Sequence, residues 1–210
     1  MNNVIEILKK VGAVITDSHF VLTSGLHTST YVNKDALYPH TEETSLICRM
    51  MAEQAKGLEV DVVVGPAMGG IILSQWTAHH LSKINGREIL GVYTEKTPEG
   101  GQVFRRGYDK LVAGKKVLAV EDLTSTGGSV KKVVASVKEA GGILVGVAVM
   151  ANRNPEEVNE AIFGVKFLPL ADFKVEAYEE AVCPLCKSGV PVNTSIGHGR
   201  QYMEKKNGKV

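Results

Sequence analysis

The stretch Val117-Leu-Ala-Val-Glu-Asp-Leu-Thr-Ser-Thr-Gly-Gly-Ser129 decides how this chain is read. Val117–Val120 is a short, continuously apolar run, the pattern of a buried strand. Two adjacent acids, Glu121 and Asp122, follow at once. Small hydroxyl-bearing residues and glycines come next, and a helical pattern runs from about Gly128 to Ala140. Small residues let backbone come close to a ligand. Amides at a helix start lack carbonyl partners, and the helix dipole adds positive potential there. Thr124, Ser125, Thr126 and Ser129 add hydroxyl donors. The segment therefore predicts a cradle for a phosphate monoester. The two carboxylates just before it suit sugar hydroxyls or a hydrated Mg²⁺. An ordinary strand–turn–helix junction would explain the hydroxyls and glycines, but not the paired acids.

Working outward, the same strand-then-helix unit recurs. Asp61–Val64 is an apolar run broken by Gly65-Pro-Ala-Met-Gly-Gly70, and a helical pattern follows through Ile71, Trp76 and Leu81. Ile89–Tyr93, Ile143–Met150 and Phe167–Leu170 read as further strands. Thr41-Glu-Glu-Thr44 opens a helix to about Lys56, with acids in the turn that the dipole favours. Apolar strands alternating with helices predict an α/β fold with a central, mainly parallel sheet flanked by helices. Ligands in such folds bind at the carboxyl ends of the strands. That directs attention to the loops at 65–70, 94–108, 121–128 and 151–154. Before this core, Val4, Ile5, Leu8 and Val11 predict a short helix ended by Gly12, and residues 13–33 read as two or three short strands or turns.

The bulk properties narrow the function. Lys plus Arg number 24 against 23 Asp plus Glu, which excludes a general nucleic-acid binder. Only the tail (Lys205, Lys206 and Lys209) clusters basic residues, and it reads as a solvated end. No run approaches the ~18 apolar residues of a membrane span. Residues 1–10 lack a signal-peptide core. The chain is expected in the cytosol, away from membranes. Three cysteines (Cys48, Cys183 and Cys186) form no disulfide framework.

Val117–Ser129 resembles the PRPP-binding signature of the type I phosphoribosyltransferases: an apolar strand, two acids, two variable residues, then Thr/Ser-x-Gly. The resemblance implies that Glu121 and Asp122 hold the ribose hydroxyls. It gives the 5′-phosphate to Leu123, Thr124, Ser125, Thr126, Gly127 and Gly128. Three more segments resemble the orotate phosphoribosyltransferases. Phe20–Asn33 looks like their N-terminal hood, which implies orotate contacts from Ser24, Gly25, His27 and Tyr31, with Ser125 added from the phosphate loop. Gly65–Gly70 looks like the pyrophosphate turn, giving Ala67, Met68 and Gly69 to PRPP. Asn152-Arg153 looks like the family's Asp-Arg pair, which gives Arg153 to orotate. A guanidinium fork suits a carboxylated pyrimidine. Cys183–Pro191 also looks like the tail of a bacterial and archaeal branch.

The likeness covers residues 3–192 and implies the type I phosphoribosyltransferase fold with a small hood. The expected organisation is a domain over 1–192, with hood about 1–35 and core about 41–170, and a flexible tail over 193–210. It implies transfer of phosphoribose from PRPP to orotate, giving orotidine 5′-monophosphate in pyrimidine biosynthesis, with Mg²⁺ as cofactor and a homodimer. The Gly-rich 94–108 segment then reads as a mobile lid, with Lys96, Arg105, Arg106 and Asp122 as the catalytic set. The sequence departs from the enterobacterial branch, which has Lys at the positions of Gly69 and His27. Transfer to another nucleobase, PRPP sensing without turnover, and a decayed paralogue stay open as alternatives. Cys183-x-x-Cys186 has the spacing of half a zinc site. His198 is within reach as a further ligand. His79, His80, Trp76 and Cys48 read as helix-face or packing residues.

Overall fold

In the computed structural model, residues 3–22 and 24–208 are described; Lys209 of the basic tail lies outside them. The chain begins with α1 (Val4–Lys10) and four two-residue strands, β1 (Val14–Ile15), β2 (Phe20–Val21), β3 (His27–Thr28) and β4 (Tyr31–Val32). Then come α2 (Thr41–Ala55), β5 (Val62–Pro66), α3 (Gly69–Asn85), β6 (Leu90–Lys96), β7 (Gln102–Val103) and α4 (Tyr108–Val112). The second half holds β8 (Lys116–Thr124), α5 (Gly128–Glu139), β9 (Ile143–Asn152), α6 (Glu160–Phe163), β10 (Lys166–Pro169), α7 (Pro184–Lys187) and α8 (Gly199–Lys206). Among the described residues, no helix is long and apolar enough to cross a membrane.

Two units make up the chain. The larger, Met1–Val4 with Leu37–Lys174, carries a six-stranded sheet in the order β10-β9-β8-β5-β6-β7. All neighbours are parallel except β7, which returns antiparallel along β6. Alternation along the strands sends Val62, Val64, Val117 and Ala119 to one face, where Val133 and Val137 of α5 meet them. Valines spaced three and four apart on α5 supply the matching stripe. Helices α2 and α3 pack on each other, and α3 lies along β5, β6 and β8. β-Branched residues dominate the central strands because β5 and β8, covered on both faces, bury nearly every side chain.

The smaller unit is built from Ile5–Ala36 and Val175–Val210. β1 pairs with β4 and β2 with β3, both antiparallel. The expected flexible tail is corrected here. Residues 193–208 pack into this unit: Asn193 donates its amide to the His19 carbonyl, His198 donates to that of Val21, and α8 follows. The polar sequence misled because α8 contributes its few anchoring groups singly rather than as an apolar stripe.

Two boundaries also move. β8 continues through both acids to Thr124 because β9 pairs with it out to Asn152. The 94–108 segment contains a hairpin, β6 with β7, closed over Thr97–Gly101.

Leu118 lies in the middle of β8 with no exposed surface. Leu118→Ala should cost about 2–5 kcal/mol. The expected result is a lower urea midpoint at unchanged slope. A loss under about 1 kcal/mol would contradict its place in the core.

Candidate active site

The strand order reverses between β5 and β8: after β5 the chain adds β6 on one side, then crosses to place β8 on the other. In open parallel sheets this reversal opens a crevice at the carboxyl ends of the two strands. β5 pairs with β8 only as far as Val64 and Ala119. Beyond that, β5 turns away through Gly65–Gly70, while β8 runs on beside β9 alone. Glu121 and Asp122 sit on this extension.

The turn at 65–70 is tight. A Cβ on Gly65 would lie 2.4 Å from the Gly70 carbonyl oxygen, and the Ala67–Met68 peptide is cis. Met68 projects into solvent. Gly69 opens α3, and a Cβ there would lie 2.2 Å from the Tyr38 hydroxyl and 2.7 Å from Oδ2 of Asp122. The Tyr38 hydroxyl donates to that same Oδ2 at 2.7 Å, and Oδ1 accepts from the Leu123 amide at 2.7 Å. Tyr38 was missed by sequence reasoning, since one Tyr in a polar connection carries no motif. The departure at Gly69 now has a physical reason: the Tyr38–Asp122 pair fills the space a side chain would need.

Neighbouring strand residues address opposite faces. Asp122 is thus the acid directed at the Gly69 turn, while Glu121 accepts the Asp122 amide through Oε1 at 3.1 Å. Both carboxylates are buried, at 6% and 2% exposed, which is costly for charge and marks a functional position.

The predicted phosphate residues divide. Leu123 and Thr124 belong to β8. The buried Thr124 hydroxyl accepts from the Gly127 amide at 3.0 Å and so shapes the turn. Gly127 has φ 71°, and a Cβ there would meet Ile162 at 2.8 Å. Ser125, Thr126 and Ser129 are exposed, and Gly128 is half-exposed. The Thr126 hydroxyl accepts from the Gly128 amide at a long 3.3 Å. These residues, with the free end of α5, form the anion-receptive part.

On β6 and the hairpin, Lys96 is exposed at the end of the strand. Arg106 and Arg105 both reach Glu95, at 3.2 and 3.8 Å. Tyr93 first, then Glu95, raises Arg106 above its ordinary value, so it stays cationic. Arg153 follows β9, and its amide donates to the Thr124 carbonyl at 2.7 Å, which places it beside the phosphate turn. Buried Asn152 donates through Nδ2 to the Val158 carbonyl at 2.9 Å and accepts from the Asn154 amide. A carboxylate could not make the first of these bonds, so Asn here is structural.

The other expected base-contacting residues lie in the smaller unit. Ser24 and Gly25 are exposed, and Tyr31 is half-buried against Phe20. His27 is a correction. Its ring has no exposed surface and faces His19 and Cys186, and its backbone pairs with Tyr178, so it has nothing to offer a base.

The phosphoribosyl transferase domain family matches residues 33–180. Orotate phosphoribosyltransferase from a Thermoanaerobacter species is 39% identical over 90% of this chain and 93% of its own length. That of Thermotoga maritima is 38% identical over 92% of this chain and 97% of its own. Among solved structures, the Mycobacterium tuberculosis orotate phosphoribosyltransferase in complex with inorganic phosphate aligns at a TM-score of 0.62 and 25% identity, over 81% of this chain and 95% of that one. A Corynebacterium diphtheriae phosphoribosyltransferase aligns at 0.62 and 27%, over 82% and 96%. With the strand-end acids, the Gly69 turn and the anion-receptive start of α5 at the carboxyl ends of the central strands, the chain belongs to the phosphoribosyltransferase family, among the orotate phosphoribosyltransferases.

Proposed function

We propose that this chain transfers the phosphoribosyl group of PRPP to orotate, releasing pyrophosphate and forming orotidine 5′-monophosphate in pyrimidine biosynthesis. The observation that carries the reading is the convergence of Asp122, Glu121, the Gly69 turn and the Ser125–Ser129 start of α5 at the switch point of the sheet. The orotate ring nitrogen forms a bond to C1′, and the C1′–oxygen bond to pyrophosphate breaks. The bonding pair leaves with pyrophosphate, and the ring-nitrogen proton passes to water. Little covalent work falls to the protein, so positioning and charge stabilisation dominate.

The side chains fit those tasks. Ser125, Thr126 and Ser129 with nearby amides hold the 5′-phosphate, and Asp122 and Glu121 accept from the ribose hydroxyls. Arg153 offers a fork to the orotate carboxylate. The donor set at the strand end is entirely oxygen, which suits Mg²⁺. Asp122 and Glu121 would help hold such an ion beside the substrate, where it would supply charge neutralisation for the leaving pyrophosphate. Lys96, Arg105 and Arg106 serve the same charge from the hairpin, the arginines by leaving Glu95. Homodimerisation and a cytosolic setting accord with this reading.

The direct test is pyrophosphate release from PRPP and Mg²⁺ with orotate, uracil, adenine, guanine, hypoxanthine or xanthine. Turnover confined to orotate is expected; turnover with a purine alone would overturn the base assignment. Asp122→Asn should lower kcat/KM for PRPP about 10- to 200-fold, the worth of a charge-assisted hydrogen bond of ~1.5–3 kcal/mol. Gly69→Ala should lower it at least ~10-fold with little change in Tm, because its Cβ displaces Tyr38 and Asp122. Wild-type kinetics in both variants would contradict the site. Lys96→Ala, Arg105→Ala and Arg106→Ala, assayed singly, should include at least one with a kcat loss of about 10-fold or more; unchanged turnover in all three would remove the hairpin from the mechanism.

A further inference from the structure

We infer that the smaller unit holds a structural Zn²⁺ ion on His19, His27, Cys183 and Cys186, a site separate from the transferase chemistry. The ligand-capable atoms of these four residues all lie within 4.8 Å of one another. Nδ1 of His27 is 2.7 Å from Nε2 of His19 and 3.3 Å from Sγ of Cys186. Nε2 of His19 is 3.7 Å from Sγ of Cys186 and 3.8 Å from Sγ of Cys183. The edges of a tetrahedral zinc site with two nitrogen and two sulfur ligands are roughly 3.3–3.8 Å, from the usual bond lengths. The three N–S separations fall in that range, and the two rings need to part only slightly.

The chemistry selects zinc. Two thiolates and two neutral imidazoles balance a divalent cation, so a neutral centre replaces four polar groups in a place where three of the residues have almost no exposed surface. Soft sulfur with imidazole in a tetrahedral set is the zinc pattern, and hard oxygen-seeking ions are disfavoured. His19 is already oriented for the task. Its Nδ1 lies 2.8 Å from the Val190 carbonyl oxygen, which only an N–H can satisfy. The lone pair is therefore on Nε2, the atom within the cluster; this is the outer-shell bond that ligating histidines use. Without a metal, His27 Nδ1–H must donate to that lone pair. His27 Nε2 is then a buried acceptor, and it has no hydrogen-bond partner. With zinc on Nδ1 of His27 and Nε2 of His19, neither ring has to donate to the other, and the His27 proton moves to Nε2, on a ring packed edge-on to Tyr202 with centroids 5.0 Å apart.

The chain around the cysteines is built for the same purpose. Cys183 precedes α7, the Lys187 amide donates to its carbonyl at 3.1 Å, and the Gly189 amide donates to that of Cys186 at 3.0 Å. This tight turn brings both sulfurs to one side. Cys186 is half-buried, and a surface cleft lined by Glu179, Glu180, Ala181 and Lys187 opens onto it, an entry path with two acids to attract a cation. The ligands come from both segments of a unit of fewer than about 70 residues, a size that rarely builds a sufficient core unaided. Cys183 and His19 are 164 positions apart in sequence, so the clip closes a long loop. His198, instead, pairs with Gln201 at 3.2 Å and is not part of the cluster.

The test uses the untagged full chain, purified under reducing conditions and analysed for metals by mass spectrometry. About one zinc per chain is expected, retained by Cys48→Ala and lost from His19→Ala and Cys186→Ser. Stripping wild type with a chelator should lower Tm by roughly 10 °C or more, and adding Zn²⁺ alone should restore it. Should those variants fold poorly, Co²⁺ exchanged into wild type is read instead: thiolate charge-transfer and intense tetrahedral visible bands are expected. Negligible zinc in replete protein, a Cys183–Cys186 disulfide in its place, zinc retained by both ligand variants, or octahedral Co²⁺ spectra would each overturn the assignment. Because these readouts are metal content, spectrum and Tm, they stand or fall apart from orotate turnover.

Discussion

The divergence of β5 and β8 at their carboxyl ends is the constraint on which the rest of the larger unit depends. Parallel strands fed by helices must reverse their order of addition somewhere, and only there do two neighbouring strands send their following turns apart. Here β5 leaves after Val64 and β8 carries on past Ala119, supported by β9 alone. The acids emerge two and three residues past Ala119, the last β8 residue paired with β5, and Asp122 faces the start of α3. Removing that divergence would return Glu121 and Asp122 to a closed sheet, where burial of their charge has no compensation.

Two positions where the chain leaves the enterobacterial pattern turn out to be paired with residues elsewhere. Gly69 answers to Tyr38, whose hydroxyl stands where a side chain at 69 would go and holds Oδ2 of Asp122. His27 answers to His19, Cys183 and Cys186. A lysine at either position would meet space already occupied by the side chains packed there. The differences are thus substitutions of one local arrangement for another, and the basic residues Lys96, Arg105 and Arg106 remain at the end of β6 and just after the hairpin. The same logic covers Asn152, whose amide nitrogen closes the turn that launches Arg153.

Much of the fold was legible because it depends on periodicity. Apolar runs at Val62–Val64, Val117–Val120 and Val147–Met150 announce strands covered on both faces, and the valines of α5 announce the helix over them. The phosphate turn was legible because glycine and hydroxyl residues after paired acids serve few other ends. What stayed hidden rests on contacts between residues distant in sequence. Tyr38 meets Asp122 across 84 positions, and no local pattern marks it. His19 reads as a polar residue between short strands, and only folding brings it to the cysteines. Strand ends were also hidden: β8 extends through acids because its partner β9 extends, which is a property of the pair. Thr124 shows the same limit, since its hydroxyl accepts the Gly127 amide and a hydroxyl can serve the turn or the ligand in ways that spacing does not distinguish.

The central claim is that the crevice between β5 and β8 receives PRPP with its 5′-phosphate at the start of α5. A crystal structure of the protein soaked with PRPP and Mg²⁺ tests this most directly. The account expects phosphate oxygens about 2.7–3.2 Å from hydroxyls or amides within Ser125–Ser129, and ribose hydroxyls within the same reach of Asp122. Well-ordered PRPP seated elsewhere, with Ser125–Ser129 and Asp122 left untouched, would contradict it.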